Sequence, residues 1–339
     1  MALPEPRLTD PARVPSLRWG ILGPGWIADQ FASTVHANTG QRLVAVASRT
    51  PGRARAFASA HAIPLALSSY EELVARDDID AVYVATVPTG HHDAAMLAID
   101  AGKHVLIEKP LTQVLAQAEA VFERATERGV LAMEAMWSRY LPQFDVVRQL
   151  LEAGAIGEPR LVLADFCQDN RALARMWRPG DGSPLWDMGI YPIALCQMVF
   201  GEPIEVESRG VMLDSGMDAE STTCLGYASG ARATFTVSGV VDAPQHALIA
   251  GEHGVIELGQ PFFLPTSVGL AGKGFNAPMD YWYDESSVRG HAGLAYQVTA
   301  FADYVGRGLL ESPLQSHADS LACLRVASAI AQRLGIRTA

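Results

Sequence analysis

An apolar strand that runs straight into Gly-x-Gly-x-x-Ala and on into a helical pattern constrains this chain more than any other feature. The run is Trp19-Gly20-Ile21-Leu22-Gly23-Pro24-Gly25-Trp26-Ile27-Ala28. Gly23 permits a tight turn, Gly25 lets the backbone approach a pyrophosphate, and Ala28 is small enough for the helix to pack close to the strand. Phosphates would sit over the helix N-terminus, where unpaired N–H groups and the dipole favour anions. The glycines alone also fit a plain strand-to-helix turn. The strand before them and the helix after them favour a dinucleotide site, with Gly23, Gly25, Trp26, Ile27 and Ala28 around the phosphates.

The second half of this βαβ unit bears on which dinucleotide is bound. Arg42–Ser48 reads as the second strand, and it ends at Ser48-Arg49-Thr50 rather than at Asp or Glu. A carboxylate there would take the ribose 2′-OH of NAD, whereas a guanidinium meets a 2′-phosphate. Arg49, with Arg53 one turn into the next helix and Ser48 at the strand end, therefore argues for NADP over NAD. The competing reading makes Arg49, Arg53 and Arg55 a solvated basic edge.

At 339 residues the chain suits two domains rather than one core. Hydrophobic residues at 49% and charged residues at 19% describe a folded soluble protein. The net charge, 26 − 37 = −11, makes nucleic acid and anionic membrane poor partners. Cys167, Cys196, Cys224 and Cys323 are scattered without a Cys-x-x-Cys pair and read as buried thiols of a reducing compartment. The histidines show no His-Glu-x-x-His helix, so no metal site is expected. No run reaches the ~18 apolar residues of a membrane span, and the N-terminal residues lack the apolar core of a secretion signal. A cytoplasmic protein is the expectation.

The expected fold class is α/β: an N-terminal Rossmann dinucleotide-binding domain, then an α+β domain with an open, mainly antiparallel sheet. Residues 1–16, with four prolines, read as an extended arm. Strand and helix patterns alternate over 17–136, including strands at Asp80–Thr86 and Lys103–Ile107. Residues 137–314 read as a substrate and oligomerisation domain, and 315–339 as a C-terminal helix packing back on the Rossmann domain. Within 137–314, a helix spans about 185–200, followed by strands at 203–213, 220–228 and 231–241 and a hairpin from 245–250 and 254–258. A helix at 292–306 closes this stretch. Ligands of doubly wound sheets bind beyond the C-terminal strand ends. That directs attention to Thr86 and Pro88 after one strand and Glu108-Lys109-Pro110 after another.

A Glu-Lys pair alone is usually a surface ion pair of little worth, but at the ligand edge Lys109 can meet a cofactor ribose or a substrate hydroxyl. Asp187 and Tyr191 stand at i and i+4 in Asp187-Met188-Gly189-Ile190-Tyr191-Pro192. Pro192 would lose a bond and clash deep in a helix, so the helix is expected to start just before Tyr191, placing both side chains near its positive end. Read structurally, Asp187 is an N-cap and Tyr191 a packed aromatic; read functionally, they touch substrate. The residues by themselves leave both open.

The glycine turn, Glu108-Lys109-Pro110, Met133-Glu134-Ala135-Met136-Trp137-Ser138-Arg139 and Asp187-Met188-Gly189-Ile190-Tyr191, in this order, resemble the glucose-fructose oxidoreductase and inositol dehydrogenase (Gfo/Idh/MocA) family. Within the family the pattern is most similar to the branch of dimeric dihydrodiol dehydrogenases and NADP-dependent D-xylose dehydrogenases. The resemblance implies an NADP enzyme that moves hydride between a sugar or trans-dihydrodiol hydroxyl and the nicotinamide. It also implies a homodimer or higher homo-oligomer formed through the C-terminal sheet. Lys109 matches the lysine of the Glu-Lys-Pro motif, and Tyr191 the tyrosine that acts as general acid and base. Trp137, Phe166 and Asp187 match the substrate pocket, Arg49 and Arg53 the 2′-phosphate site, and His92 the histidine of a Pro-Asn-x-x-His motif. The chain departs from that motif with Thr89 in place of asparagine, and from the usual glycine-rich approach to Asp187 over 177–184. Alternatives are a non-catalytic NADP-binding regulator and a cyclitol dehydrogenase or keto-sugar reductase.

Overall fold

The computed structural model describes residues 3–274 and 276–337; the first two residues of the expected arm, residue 275 and the last two of the expected C-terminal segment lie outside them. The chain divides into two compact units. One holds Leu8–Trp137 and Arg289–Leu321; the other holds Ser138–Val288, the stretch ending at Arg7 and the stretch beginning at Ala322.

In the first unit β1 (Arg18–Leu22), β2 (Arg42–Ala47), β3 (Leu65–Leu67), β4 (Ala81–Val84), β5 (His104–Glu108) and β6 (Ala132–Ala135) pair in parallel. The order is β3-β2-β1-β4-β5-β6, the doubly wound order whose crevice lies where the winding reverses. Helices α1 (Trp26–Asn38), α2 (Arg53–Ala60), α3 (Tyr70–Val74), α4 (His91–Asp100) and α5 (Leu115–Arg128) connect the strands. β4 is buried along its whole length, as a central strand covered on both faces must be, which is why its sequence is an unbroken apolar run.

The sequence boundary at 314 is corrected here. Trp19 of β1 is fully buried, with Phe31 of α1 at 5.5 Å and Phe301 at 4.8 Å between ring centroids. Its indole N–H donates to Gln41 at 3.2 Å. Phe301 sits on the helix that follows residue 293, so that helix, like the segment from Arg289 to Leu321, belongs with the parallel sheet. The Ala132 N–H, on β6, also donates to Leu310 O at 3.2 Å.

In the second unit β7 (Pro159–Cys167), β8 (Glu205–Met212), β9 (Asp218–Gly226), β10 (Arg232–Ser238), β11 (Ala247–Gly251), β12 (Gly254–Leu258), β13 (Val268–Gly272) and β14 (Met279–Trp282) form one sheet, ordered β14-β13-β12-β11-β7-β10-β9-β8. Both hairpins occur where turn chemistry predicts them: Gly230 takes φ +80° between β9 and β10, and Glu252-His253 joins β11 to β12. The β7–β10 pair is parallel and every other pair antiparallel. Strand β7 escapes the alternation rule because Leu161-Val162-Leu163 is a continuous apolar run; β14 has only four residues. The remaining helices are α6 (Pro142–Glu152), α7 (Ile190–Phe200), α8 (Leu294–Gly306) and α9 (His317–Leu334), and α8 is the helix that carries Phe301.

Both chain ends are held by contacts between residues far apart in sequence. The arm is tied down, since the Arg7 backbone N–H and guanidinium both reach Asp145 of α6, at 2.6 and 3.1 Å. The start of α9 packs back on the parallel-sheet unit, His317 stacking on Phe122 of α5 at 3.9 Å between centroids with a ring nitrogen 2.9 Å from Ala132 O. The stretch from Ala322 instead joins the second unit: Arg325 pairs with Glu202 at 2.6 Å and the Arg337 N–H donates to Gly216 O at 3.0 Å. Long-range ion pairs of this kind leave no periodic trace in sequence. All four cysteines are free thiols, but Cys224 is exposed on β9 rather than buried. Among the described residues no helix is long and apolar enough to cross a membrane.

Candidate active site

The glycine turn opens α1. Gly23 takes φ +95°, and a Cβ there would meet Ala85 O at 2.7 Å; only glycine satisfies both conditions. Gly25 precedes Trp26 with no side chain to cap the helix, and a Cβ there would meet nothing nearer than Ala85 O at 3.9 Å. The space in front of Gly25 is therefore open, and the first-turn N–H groups of Trp26, Ile27 and Ala28 have no intrahelical acceptor. This cradle fits the phosphates of a dinucleotide.

Ser48, Arg49 and Arg53 gather beyond β2. The Ser48 hydroxyl accepts the Thr50 N–H at 3.1 Å. The Arg49 guanidinium lies 5.2 Å from the Tyr70 ring centroid, a cation–π contact that props it up. Arg53, first residue of α2, donates to Pro24 O at 3.1 Å, which links the strand end to the glycine turn. No carboxylate follows β2 directly.

Beyond β4, Pro88–Gly90 form a short 3₁₀ turn and Thr89 is exposed. Two adjacent histidines then part company. His92, matched by the resemblance, is three-quarters buried beside Asp93 at 2.8 Å. His91 is fully buried, with its ring nitrogens 2.9 Å from Pro110 O and 3.1 Å from Thr86 O. His91 thus fastens the loop after β4 to the loop after β5, a tie that asparagine at 89 is not needed to make. Burial pushes its pKa down, against the pull of those carbonyls.

Glu108 is not a surface partner of Lys109. It is 5% exposed, accepts the Tyr83 hydroxyl and takes the Lys109 N–H at 3.2 Å. Next comes a cis Lys109–Pro110 peptide. Buried Glu134 of β6 accepts the Leu111 N–H at 2.9 Å; burial raises its pKa, while Ser320, Leu111 and the Lys109 charge pull it down. Glu108, Glu134 and His91 together hold the segment that presents Lys109. Trp137, 2% exposed, ends this unit, and its ring lies nearly parallel to His291 with centroids 5.5 Å apart. The sequence reading missed both His91 and His291; the only local signal for His291 is its position inside Gly290-His291-Ala292-Gly293, immediately before α8.

In the second unit, Leu185–Gly189 coil as a π-type turn that runs directly into α7. The α-helix itself begins at Ile190, just before Tyr191 as expected, but the chain is already coiled when it arrives there. Pro192 would crowd the Met188 carbonyl in an unbroken α-helix, and the widened turn just before it removes that conflict. Tyr191 lies within a coiled path rather than at a free helix end, so the dipole argument for its phenolate falls. Asp187 is not an N-cap either. Its own N–H donates to Ser183 O at 2.8 Å and its carboxylate accepts Arg175 at 3.0 Å. The cap is tertiary: fully buried Asp218 of β9 accepts the Leu185 N–H at 2.9 Å.

Tyr191 is 6% exposed and packs with Phe166 of β7 at 5.5 Å and Phe263 at 5.1 Å between centroids, while Phe166 and Phe263 stack at 4.1 Å. Fully buried Gln143 of α6 donates to Phe262 O at 3.3 Å and Leu264 O at 2.6 Å, holding the loop that carries Phe263. An aromatic pair between Pro261 and Pro265 was the available signal for that loop. The structure thus groups Phe166, Tyr191 and Asp187 in one unit, and the glycine turn, Ser48, Arg49, Arg53, Thr86, Pro88, His92, Glu108, Lys109 and Trp137 in the other. Among the described residues, no group of three or more His, Cys, Asp or Glu side chains converges on a metal position.

Comparison with known proteins agrees with this division. Residues 17–136 match the oxidoreductase family with NAD-binding Rossmann fold, and residues 144–257 match the GFO/IDH/MocA C-terminal domain. The chain is 31% identical to trans-1,2-dihydrobenzene-1,2-diol dehydrogenase of Xenopus tropicalis over 325 residues, 94% of this chain and 98% of that protein. The human enzyme of the same name is 30% identical over 326 residues, 95% and 98% of the two chains. A 3-ketoreductase from Actinomadura kijaniata in complex with TDP-benzene and NADP superposes with a TM-score of 0.79 at 29% identity, covering 96% of this chain and 99% of that one. Levoglucosan dehydrogenase in complex with NADH and levoglucosan shares the fold, with a TM-score of 0.85 at 18% identity over 94% and 97% of the chains. With both halves matched and whole-length relatives in hand, the chain belongs to the Gfo/Idh/MocA family and is an oxidoreductase.

Proposed function

We propose that this enzyme is an NADP-dependent dehydrogenase or reductase acting on a secondary or anomeric hydroxyl of a sugar or a trans-dihydrodiol. The observation that carries the reading is the ligand edge of the parallel sheet. There the uncapped glycine turn, the Arg49 and Arg53 guanidinium groups and Lys109 all follow the C-terminal ends of strands of one sheet. Gly23, Gly25, Trp26, Ile27 and Ala28 hold the pyrophosphate, Ser48, Arg49 and Arg53 the 2′-phosphate, and Thr86, Pro88, His92, Glu108 and Lys109 the remainder of the dinucleotide. When bound, NADP supplies the hydride acceptor, and NADPH the donor.

Tyr191 acts at its Oη as general base in oxidation and general acid in reduction. An ordinary tyrosine, with a pKa near ~10, is a poor base at neutral pH; the Lys109 ammonium favours the phenolate. Trp137 and Phe166 offer apolar ring faces to substrate, and Asp187, oriented by Arg175, accepts a substrate hydroxyl. The whole-length dihydrodiol dehydrogenase relatives support the diol. The NADP-bound 3-ketoreductase, at 29% identity, supports a second reading, reduction of a keto-sugar. A cytoplasmic location and a homodimer or higher homo-oligomer through the open sheet belong to the same proposal; Val211 and Cys224 lie exposed on that sheet.

The test is the initial rate of NADPH formation with NADP or NAD across aldoses, cyclitols and trans-dihydrodiols, and of NADPH consumption with keto-sugars. NADP-dependent turnover on one class identifies the substrate; tight binding without turnover in either direction indicates a regulator. Arg49→Ala should weaken NADP by about tenfold or more, the scale of a charge-assisted hydrogen bond, while leaving NAD nearly unchanged. Equal losses for both nucleotides, read from their dissociation constants, would return Arg49 to a solvated edge.

A further inference from the structure

We infer that His291 contacts the bound dinucleotide, its imidazole donating a hydrogen bond to the pyrophosphate. This rests on the nucleotide reading above and adds to it a residue from far along the chain. The ring is set edge-on to Trp26, with centroids 4.9 Å apart at 81°, and nearly parallel to Trp137, 5.5 Å apart at 27°. Trp26 is the first residue of α1, next to Gly25, so the imidazole stands beside the helix turn that receives the phosphates.

The backbone that carries the ring is anchored to the same helix. Gly290–Gly293 form a 3₁₀ turn, and the Thr34 hydroxyl of α1 donates to Ala292 O at 2.8 Å. Two indoles and one hydrogen bond therefore fix the ring's place relative to the glycine turn. Neither ring nitrogen has a hydrogen-bond partner among the described residues, and the side chain is only half-buried, so a ligand can reach it. A neutral imidazole keeps one N–H to offer. Burial, then the Lys109 charge, holds the ring on the neutral side. An anionic oxygen over the α1 N-terminus is the acceptor that this N–H fits.

The test is calorimetric titration of the full-length protein with NADP and with NAD, for wild type, His291→Phe, His291→Ala and His291→Gln. Phenylalanine keeps a ring against both indoles and removes only the hydrogen-bonding nitrogens. His291→Phe and His291→Ala should each raise the dissociation constant about tenfold for both nucleotides, since the pyrophosphate is common to them; glutamine should restore part of the loss, and the Tm of the Phe variant should match wild type. Wild-type affinity in His291→Phe would overturn the inference. So would a loss confined to NADP, which would put the histidine at the 2′-phosphate, or a loss that tracks a lowered Tm, which would make its role packing. Failure of the wild type to bind either nucleotide would instead remove the nucleotide reading itself, and this inference with it.

Discussion

Tyr191→Phe should lower turnover by about 10²–10⁴-fold, the usual worth of general acid–base assistance, while nucleotide affinity stays at the wild-type value. The substitution removes one oxygen and leaves the ring, so the stack against Phe166 and Phe263 persists. Tyr191 belongs to the unit with the antiparallel sheet, whereas the glycine turn, Arg49 and Arg53 belong to the other. A loss of kcat with unchanged nucleotide dissociation constants is therefore the signature of a proton-transfer role. Steady-state kinetics on the best substrate, with a nucleotide titration and a melting curve beside them, decide the matter. Turnover at the wild-type rate would make Tyr191 a packed aromatic, the reading its 6% exposure also allows.

The second large effect is expected at the glycine turn, where two substitutions separate folding from ligand approach. Gly23→Val places a β-branched residue at φ +95° with its Cβ 2.7 Å from Ala85 O and 2.9 Å from Ala85 C. Such a backbone conformation costs about 1–3 kcal/mol for a side-chain-bearing residue. The clash adds to it because Ala85 cannot retreat: its N–H is bonded to Leu22 O at 2.9 Å. Nucleotide binding and turnover should both be lost, with a clear drop in Tm. Gly25→Ala, whose Cβ meets only Ala85 O at 3.9 Å, should keep the wild-type Tm yet weaken nucleotide by about 10–100-fold, or 1–3 kcal/mol. A Gly25→Ala protein that binds nucleotide normally would show that the phosphates do not approach there.

The difference between these two glycines shows what local sequence can convey. Strand, turn and helix follow one another within a dozen residues, so Gly-x-Gly-x-x-Ala states its own geometry. The Ser229-Gly230 and Glu252-His253 hairpins were legible for the same reason. The helix at 185–200 was legible in extent but not in form. Pro192 sets the α-helix start at Ile190, as expected, but the π-type turn before it and the cap borrowed from Asp218, on a strand that comes later in the chain, have no local signal.

The sequence by itself determined the βαβ nucleotide unit, the change to a largely antiparallel sheet, and the short motifs that carry Lys109, Asp187 and Tyr191, because each depends on the conformational needs of neighbouring residues. Only the tertiary structure decided which of two adjacent histidines pins the loops after β4 and β5, that Arg175 orients Asp187, that Phe263 completes the aromatic group around Tyr191, and that His291 stands beside Trp26. It also placed α8 with the parallel sheet and divided the C-terminal segment, its start in that unit and the stretch from Ala322 in the other. The physical reason is common to all of these. Hydrophobic periodicity reports that a face is buried without naming what covers it, and burial and hydrogen bonding between residues far apart in sequence are settled only when the chain has closed on itself.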